Sequence, residues 1–464
     1  MLDQSFSADN FRKIIDIENR KGFYLEGEFF PEIVAVSKNI KKSNNDLRLL
    51  KWRKSSMSEA DYNAEKTRLE EIKEKFEATK EGLYKEKLEE ISRKVTAKGF
   101  KIEIKKVTTI ADKPVYKMPN NLENLFTLKQ LQFNFRKLYK VKQASRYAIV
   151  SHLKNLLDDG FPKIVIRTDI QSFYESIPQD VLLKKINDEN LLTHLSRKFV
   201  TQILLAYNRH TALEKGVPRG IGISAYLVEL FMREIDSKIK SLPNVMYYAR
   251  YVDDIVVIFT PPLQNIPRNY TKEIKEIIEN YDLEVNPKKT IEFDHSDKSK
   301  IVKHDLEYLG YRFIFGNEKK TVDGKEKIYK IPIKVLITRK KKLRYKIKII
   351  KAFKSFCTES FLNGKKARKL LIKRMRFLTG NTKLVNNKKN VATGVYFTNS
   401  LVNDTRDFKE LDEFFKRRIS ISKFPPSLKT KLETKYSFEK GFNPRMFSKF
   451  TSLDLQNIMK AWKK

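Results

Sequence analysis

The chain of 464 residues contains one cysteine, Cys357, and only five histidines. A single cysteine excludes an internal disulfide and a cysteine-based zinc site within one chain. No two histidines have the spacing of a ligand pair, and a lone histidine such as His152 is more often a helix residue than a catalyst. Any metal site should therefore be built from carboxylates, which suits Mg²⁺ or Mn²⁺.

Long apolar segments are also missing. No stretch approaches ~18 consecutive apolar residues, and the N-terminus lacks the basic-then-apolar pattern of a secretion signal. We therefore expect a cytoplasmic protein with no membrane partner. The length of the chain suggests roughly two to four domains. The sequence has no internal repeat and no low-complexity linker that would mark the boundaries between them.

The charge is strongly one-sided. Lysine and arginine number 95 against 57 acidic residues, which gives a formal net charge of +38. Half of this excess lies between Ile331 and Ser400, where twenty basic residues face one acid, Glu359. The excess indicates a polyanionic partner, RNA or DNA, although a solvated basic face or a membrane-surface patch would share the composition. The candidate nucleic-acid-binding residues are Lys340, Lys341, Lys342 and Arg344.

Two adjacent carboxylates stand out in "NVMYYARYVDDIVVIF", where Asp253 and Asp254 separate two short apolar runs rich in β-branched and aromatic residues. This pattern predicts a hairpin with "VDD" at its turn, although an ordinary surface turn would share it. A third carboxylate, Asp169, ends the apolar run "KIVIRTD". If the two segments are neighbours in one sheet, the three carboxylates could hold two divalent ions ~4 Å apart.

The remaining chain alternates between helical and strand patterns. A long helix or helical hairpin is predicted over 57–94, with a strand in "FKIEIKKV" after it. Further helices are predicted over 178–188, 195–207, 224–242 and 270–281, further strands over 283–293 and 306–315, and a mainly helical basic region from Ile331 onwards.

Five ordered motifs resemble those of reverse transcriptases. They are "RTDIQSFYESI", "GVPRGIGIS", "YVDD", "LEVNPKKT" and "LEYLGY", spread over about residues 163–315. The variants "SFYESI" and "RGIGIS" look most like the bacterial defence-associated enzymes, including abortive-infection enzymes. Among these, the chain is most similar to the second reverse transcriptase of the type 3 two-enzyme antiphage system.

The resemblance implies an α+β right-hand polymerase fold with fingers, an antiparallel palm sheet and a thumb. The expected segments are an N-terminal helical extension with the start of the fingers over 1–110, fingers over 111–162 and palm over 163–300. The palm–thumb junction and thumb would cover 301–400, and a basic helical extension 401–464. The implied ligands are deoxynucleoside triphosphates, two Mg²⁺ or Mn²⁺ ions, and RNA or DNA, which could include a non-coding RNA. A partner reverse transcriptase and a higher-order oligomer are further expectations.

The resemblance also implies residue roles. Asp169, Asp253 and Asp254 match the metal-binding carboxylates, and Lys289 matches a catalytic lysine near the departing pyrophosphate. Tyr174 matches the aromatic residue that excludes a ribose 2′-hydroxyl, although it could simply be core, as we expect of Phe173. Ile170, Arg146, Arg219, Gly220 and Ser224 complete the nucleotide-binding set, and Leu309 with Gly310 matches the turn that grips the primer end.

Arg146 is the strongest candidate of a basic set that includes Arg136, Lys137, Lys140 and Lys142. These residues could instead contact duplex backbone.

One departure concerns Arg219, because the family usually has glutamine before the loop glycine, and Ala225 replaces the usual proline after Ser224. Arginine is permanently charged and only donates hydrogen bonds. It could bind a triphosphate or a base edge, which puts ordinary templated copying in question. The alternative is a structural ion pair with Glu229 or Asp236.

The resemblance favours an RNA-directed DNA polymerase that extends a nucleic-acid or protein primer in antiphage defence. A retron or intron-type retroelement enzyme is the alternative within the family. Tyr174 argues against an RNA polymerase, and the intact acidic triad argues against a catalytically silent RNA-binding scaffold.

Overall fold

The computed structural model describes residues 2–20, 25–110, 113–261, 268–322, 325–384 and 391–462. The chain divides into two compact units, each described below by itself. The first unit is Met1–Lys142 with Ser172–Met232, and the second is Gln143–Gln171 with Arg233–Lys464. Among the described residues, no helix is both long and apolar enough to span a bilayer.

The helices are α1 (Ala8–Arg20), α2 (Leu25–Phe29), α3 (Pro31–Arg53), α4 (Glu59–Thr96), α5 (Leu122–Leu138), α6 (Arg146–Leu157), α7 (Phe173–Ser176), α8 (Gln179–Glu189), α9 (His194–Thr211), α10 (Ser224–Lys240), α11 (Tyr270–Glu279), α12 (Arg339–Thr379), α13 (Arg406–Ser420), α14 (Pro426–Lys435), α15 (Phe438–Phe442) and α16 (Ser452–Lys460). The strands are β1 (Lys105–Ile110), β2 (Lys113–Lys117), β3 (Lys163–Asp169), β4 (Val245–Tyr251), β5 (Asp254–Phe259), β6 (Ile291–His295), β7 (Lys303–Tyr308), β8 (Tyr311–Val322), β9 (Lys325–Lys330), β10 (Lys334–Ile337), β11 (Asn381–Leu384) and β12 (Val391–Gly394).

The first unit is mainly helical. Its long helix α4 starts where the Ser58 side chain accepts a hydrogen bond from the Asp61 amide, and α4 packs along α3. The predicted helix over 57–94 is thus confirmed as one arm of a helical pair. The predicted strand in "FKIEIKKV" is shifted, since β1 begins only at Lys105. Ile102 and Ile104 are instead buried, and the Ile102 amide donates to the Gln202 side chain.

The second unit is built around an antiparallel sheet of strand order β4-β5-β3-β6. A second antiparallel sheet has the order β10-β8-β7, with β9 paired to β8. Five consecutive residues of β5, Ile255–Phe259, have no exposed surface, as expected of a strand covered on both faces. The predicted mixture of helices and antiparallel sheet is confirmed.

Helix α12 carries most of the basic residues between Ile331 and Ser400, which we call the basic segment. The helix is interrupted at Asn363, whose backbone is not helical. The Asn363 side chain accepts a hydrogen bond from the Lys366 amide at 2.9 Å, which is the cap of a new helix. The region after Ile331 is therefore mostly helical, as predicted, but it also contains the short strands β10, β11 and β12, which the sequence pattern did not indicate.

Candidate active site

The two adjacent aspartates lie at the tight turn of the β4–β5 hairpin. Strand β4 ends at Tyr251 and β5 begins at Asp254, so Val252 and Asp253 form the turn. Val252 has φ 61°, a left-handed conformation that is strained for a β-branched residue. Arg250 supports this turn by donating from Nη1 to the Val252 carbonyl at 2.9 Å. The predicted hairpin is confirmed.

Strand β3 brings in the third carboxylate. Asp169 ends β3 and is paired directly with Asp254 across the antiparallel ladder. One carboxylate oxygen from each of Asp169, Asp253 and Asp254 lies within 4.8 Å of the other two. Ile170 fixes the strand end, because its buried backbone donates to the Asp253 carbonyl at 3.1 Å. The expected adjacency is confirmed, and we call the three residues the aspartate cluster.

Two cations compensate the aspartate cluster. Lys289 donates from Nζ to both carboxylate oxygens of Asp169 at 2.8 Å. Arg167 donates from Nη2 to Asp254 Oδ1 at 3.0 Å. Arg167 precedes Asp169 by two residues on β3, so both side chains lie on one face of the sheet. The sequence analysis did not single out Arg167, although this alternation could have identified it.

The loop "NPKKT" holds Lys289 against the end of β3. The Asn286 amide donates to the Asp169 carbonyl at 2.8 Å, and the Lys289 amide donates to the Asn286 carbonyl at 3.1 Å. The Asn286 side-chain amide also lies 3.4 Å from Asp169 Oδ1. Asn286 was likewise not predicted as a site residue, yet its two backbone contacts explain how the loop presents the lysine.

The carboxylate of Asp253 is still repelled by its two neighbouring carboxylates, although Lys289 and Arg167 lie nearby. Burial raises the pKa of Asp253, and the neighbouring carboxylates of Asp169 and Asp254 raise this pKa further. A divalent cation would relieve both effects, and hard cations prefer the oxygen donors that converge here. The aspartate cluster therefore fits a divalent metal ion.

In the first unit, Arg219 joins the helix that carries Tyr174. Arg219 donates from Nε and Nη2 to the carboxylate of Glu175 at 3.2 to 3.3 Å. Its Cζ atom also lies 4.8 Å from the centre of the Tyr174 ring. Lys113 lies 3.4 Å from the same carboxylate. Asp236, one of the two alternative partners, instead binds Arg250.

The loop after Arg219 packs tightly within the first unit. The Arg219 carbonyl accepts a hydrogen bond from the Tyr116 amide at 2.8 Å. Gly220 has φ 98°, and a Cβ there would come within 2.6 Å of the Tyr116 carbonyl oxygen, so this position requires glycine. Ser224 is buried and donates to the Pro218 carbonyl at 2.8 Å. Phe173 is fully buried, as predicted for a core residue.

Arg146, the leading candidate for triphosphate contact, meets the predicted primer-end residue Leu309 within the second unit. Arg146 begins α6 and donates from Nε to the Leu309 carbonyl at 2.8 Å. Arg136 and Lys137 lie in the last turn of α5, in the first unit.

Of the basic residues at the start of α12, Lys342 forms ion pairs with Asp407 and Glu410 at 2.7 and 2.6 Å. The other three candidate nucleic-acid-binding residues, Lys340, Lys341 and Arg344, also lie in the first turns of α12.

Structural comparison gives two telomerases. The apo telomerase from Candida tropicalis, truncated from its C-terminal domain, is 14% identical with a TM-score of 0.30, and the match covers 46% of this chain and 53% of that one. The telomerase from Candida albicans in complex with the TWJ fragment of telomeric RNA is 12% identical with a TM-score of 0.31, covering 78% of this chain and 61% of that one. The chain thus spans less than two thirds of either telomerase chain. No curated protein matches its sequence.

Residues 104–313 match the reverse transcriptase (RNA-dependent DNA polymerase) family. This segment contains the whole aspartate cluster, together with Arg167, Asn286 and Lys289. The cluster also has the oxygen donors that a metal-dependent nucleotidyl transfer needs. This segment, somewhat less than half of the chain, is therefore similar to reverse transcriptases, which are RNA-directed DNA polymerases of the nucleotidyltransferase class.

Proposed function

We propose that the full chain is a two-metal-ion reverse transcriptase that adds deoxynucleotides to a primer. The aspartate cluster is the observation that carries this proposal. Asp169 and Asp254 are paired across adjacent strands, and Asp253 lies in the turn beside them. Two Mg²⁺ or Mn²⁺ ions are the proposed cofactors, because both prefer carboxylate oxygens.

The proposed chemistry assigns a task to each residue around the cluster. Bound divalent ions would activate the attacking primer hydroxyl and neutralise charge on the triphosphate and its leaving group. The three aspartates would hold the ions at the end of β3 and the β4–β5 turn. Arg167 orients the Asp254 carboxylate by its hydrogen bond. Lys289 supplies a positive charge for the departing pyrophosphate, and its exposed side chain is free to leave Asp169 for that purpose.

The proposed architecture is a right hand. We assign the β4-β5-β3-β6 sheet to the palm, within residues 163–300, and the preceding residues 111–162 to the fingers. Residues 301–400 become the palm–thumb junction and thumb, with helical extensions over 1–110 and 401–464. The order of the five motifs along the chain supports this assignment.

Substrate selection is assigned to the first unit and nucleic-acid binding to the basic segment of the second. Tyr174, with Arg219, Gly220 and Ser224, would select deoxynucleotides. The basic segment between Ile331 and Ser400 has the charge expected of a surface that binds RNA or DNA phosphates.

We further propose a cytoplasmic role in antiphage defence, which rests on the motif variants "SFYESI" and "RGIGIS". The primer would be a nucleic acid or a protein hydroxyl, and the working form could include a second reverse transcriptase or an oligomer. A plaque assay would test this role. Cells that express the chain should resist phage and cells that express Asp253→Asn should not, whereas equal plaque counts would contradict it.

Activity is tested by incubating the purified protein with each nucleotide and Mg²⁺ or Mn²⁺, and then sequencing any product. Asp253→Asn and Asp254→Asn should each lower incorporation by ~10³-fold or more, because the change keeps side-chain size but removes a metal-binding charge. Asp297→Asn is a matched control, since Asp297 is exposed and contacts only its own turn in the described structure. Near-wild-type incorporation by either cluster variant would refute the proposed chemistry.

A further inference from the structure

The second unit contains a cleft of about 630 Å³, which we call the C-terminal cleft. It is lined by the last turn of α12 and by α15 with the segments on either side of it. Four exposed cationic side chains line it, namely Arg376, Lys435, Lys440 and Lys449. Within the described part of the chain, no acidic residue lines this cleft. A cleft whose charges are all positive suits an anionic ligand.

The C-terminal cleft also contains an exposed aromatic ring, that of Phe447, which keeps half of its surface in solvent. The Asn381 amide donates to the Met446 carbonyl, and the Ser448 amide donates to the Asn381 carbonyl, both at 2.8 Å. These bonds pair Phe447 with Asn381 of β11 in a parallel bridge. The backbone is therefore fixed on both sides of the exposed ring. An apolar ring that a fixed backbone holds in water is available for contact with a ligand.

The ring of Phe447 belongs to a surface on which aromatic and cationic side chains alternate. Its centre lies 5.7 Å from that of Phe397, which is itself exposed, and 6.0 Å from Lys383 Nζ. Arg445 has φ 52°, a left-handed conformation that is unfavourable for a residue with a Cβ. Its Cζ atom lies 4.2 Å from the centre of the Tyr396 ring. Rings and cations thus continue beyond the cleft itself.

This combination of charge and exposed rings distinguishes between anionic ligands. Proteins that bind single-stranded nucleic acid use cations along the backbone and aromatic rings on which unpaired bases stack. A duplex keeps the faces of its bases inside its own stack, so it could use the cations of the cleft but not Phe447. Inorganic phosphate and an acidic peptide would also leave the ring unused. The exposed ring therefore favours a single strand over these other anions.

We propose that the C-terminal cleft is a second nucleic-acid site, which holds an unpaired segment of RNA or DNA. The four cations contact its phosphates, and one base stacks on Phe447. The cleft volume is within the range of roughly 300–1,000 Å³ that is typical of small-molecule sites, so a nucleotide can enter. This site goes beyond the proposed function, because it lies outside residues 104–313 and uses none of the aspartate cluster. Of its four cations, only Arg376 belongs to the basic segment.

The first test is the affinity of fluorescein-labelled oligouridine and oligodeoxythymidine of roughly 12 nucleotides, measured by anisotropy on the full chain. An excess of unlabelled primer–template duplex occupies the polymerase site, and nucleoside triphosphates are omitted. We expect Phe447→Ala to weaken binding by about 5- to 100-fold, because the stacking ring is lost, and Phe447→Trp to retain it. Phe361→Ala is the matched control, since Phe361 is 90% exposed and lies outside the cleft, and it should bind like wild type.

The second test concerns the cations. The double variant Lys435→Gln with Lys440→Gln should make the dependence of log affinity on log salt less steep by about 1.4, which is ~0.7 for each lost phosphate contact. Lys416→Gln with Lys423→Gln makes the same change in net charge at exposed lysines outside the cleft. This control pair should keep the wild-type salt dependence.

Three results would overturn the proposal. Equal oligonucleotide affinities for wild type and Phe447→Ala would exclude stacking on the ring. Complete displacement of the labelled strand by the duplex would exclude a second site. Displacement by polyglutamate as readily as by unlabelled oligouridine would mean that the cleft binds acidic chains in general. Nucleotide incorporation does not enter these measurements, so this site and the proposed polymerase chemistry can fail independently.

Discussion

The ammonium of Lys289 lies 2.8 Å from both carboxylate oxygens of Asp169. Asp169 is almost fully buried, whereas half of the Lys289 side chain is exposed. The lysine therefore reaches in from solvent and covers the oxygens that a metal ion would need. A divalent ion that takes Asp169 as a ligand must displace this ammonium, so Lys289 and the metal compete for one carboxylate.

This competition predicts the effect of Lys289→Met. The variant should bind Mn²⁺ ~3- to 10-fold more tightly, because the metal no longer displaces an ion pair. Its thermal midpoint should also rise more on adding Mn²⁺, since a ligand that binds the folded state stabilises it. Calorimetric titration and thermal unfolding measure the two quantities. Lys288→Met is the matched control, because Lys288 is exposed and adjacent. Unchanged Mn²⁺ affinity in Lys289→Met would contradict the competition.

Tyr174→Ala should relax the choice between deoxynucleotides and ribonucleotides. The proposed collision with a ribose 2′-hydroxyl depends on ring bulk, so alanine should raise the ratio of ribonucleotide to deoxynucleotide incorporation by ~10-fold or more. Tyr174→Phe keeps the ring and should retain the wild-type ratio. Single-nucleotide extension with each nucleotide measures it. If alanine and phenylalanine behave alike, Tyr174 is only a packing residue.

Arg219→Gln restores the usual family residue but loses the ion pair with Glu175 and the stacking on Tyr174. A partly exposed pair of this kind contributes roughly 0.2–1 kcal/mol, so the fold should survive. We expect activity to persist with altered nucleotide preference or greater dependence on a template. Sequencing of products made by wild type and variant measures this effect.

Glu175→Gln separates the two roles of Arg219. Glu175→Gln removes the ion pair and keeps the arginine. If Glu175→Gln and Arg219→Gln change the products in the same way, the effect is caused by loss of the ion pair. A change only in Arg219→Gln would trace it to the arginine itself. Identical products and rates in wild type and Arg219→Gln would make the residue purely structural.

The strongest sequence patterns predicted the centre of the candidate site. Alternating and continuous apolar runs identified β3, β4 and β5, and the position of Asp169 at a strand end predicted its meeting with Asp254. Local patterns succeed here because the carboxylates lie at the ends of buried strands, where register is fixed by burial.

Contacts between distant segments were less predictable. The pairing of Arg219 with Glu175 joins a loop to α7, and the approach of Arg146 to Leu309 joins α6 to a hairpin turn. Neither has a local signature, because only tertiary packing brings those residues together. Tertiary packing also explains why β1 begins later than the sequence predicted, at Lys105. Ile102 and Ile104, which belong to the predicted strand, are buried outside any strand.

A pair of buried histidines predicts acid sensitivity in the second unit. His295 on β6 and His304 on β7 have ring centres 5.7 Å apart, at 5% and 8% exposure. Burial lowers the pKa of both rings, with Lys163 adding to the effect at His295, and His295 adding to it at His304. In the described structure, His295 Nδ1 and His304 Nε2 have no hydrogen-bond partner. Both rings are therefore held neutral in an environment that disfavours their protonation.

The sign of the pH dependence follows from these lowered pKa values. Below about pH 6.5 these two histidines bind protons in the unfolded chain but stay neutral in the folded chain. The free energy of unfolding should therefore be highest above that pH and should decrease as the pH falls towards the lowered pKa values of the folded chain. The thermal midpoint, measured between about pH 5 and 7.5, should decline by roughly 2–4 °C for each kcal/mol lost. His304→Phe, beside Phe293 and Phe315, should reduce this decline because phenylalanine cannot titrate. His194→Gln changes an exposed histidine and should leave it intact. An equal decline in wild type and His304→Phe would show that other groups cause the acid sensitivity.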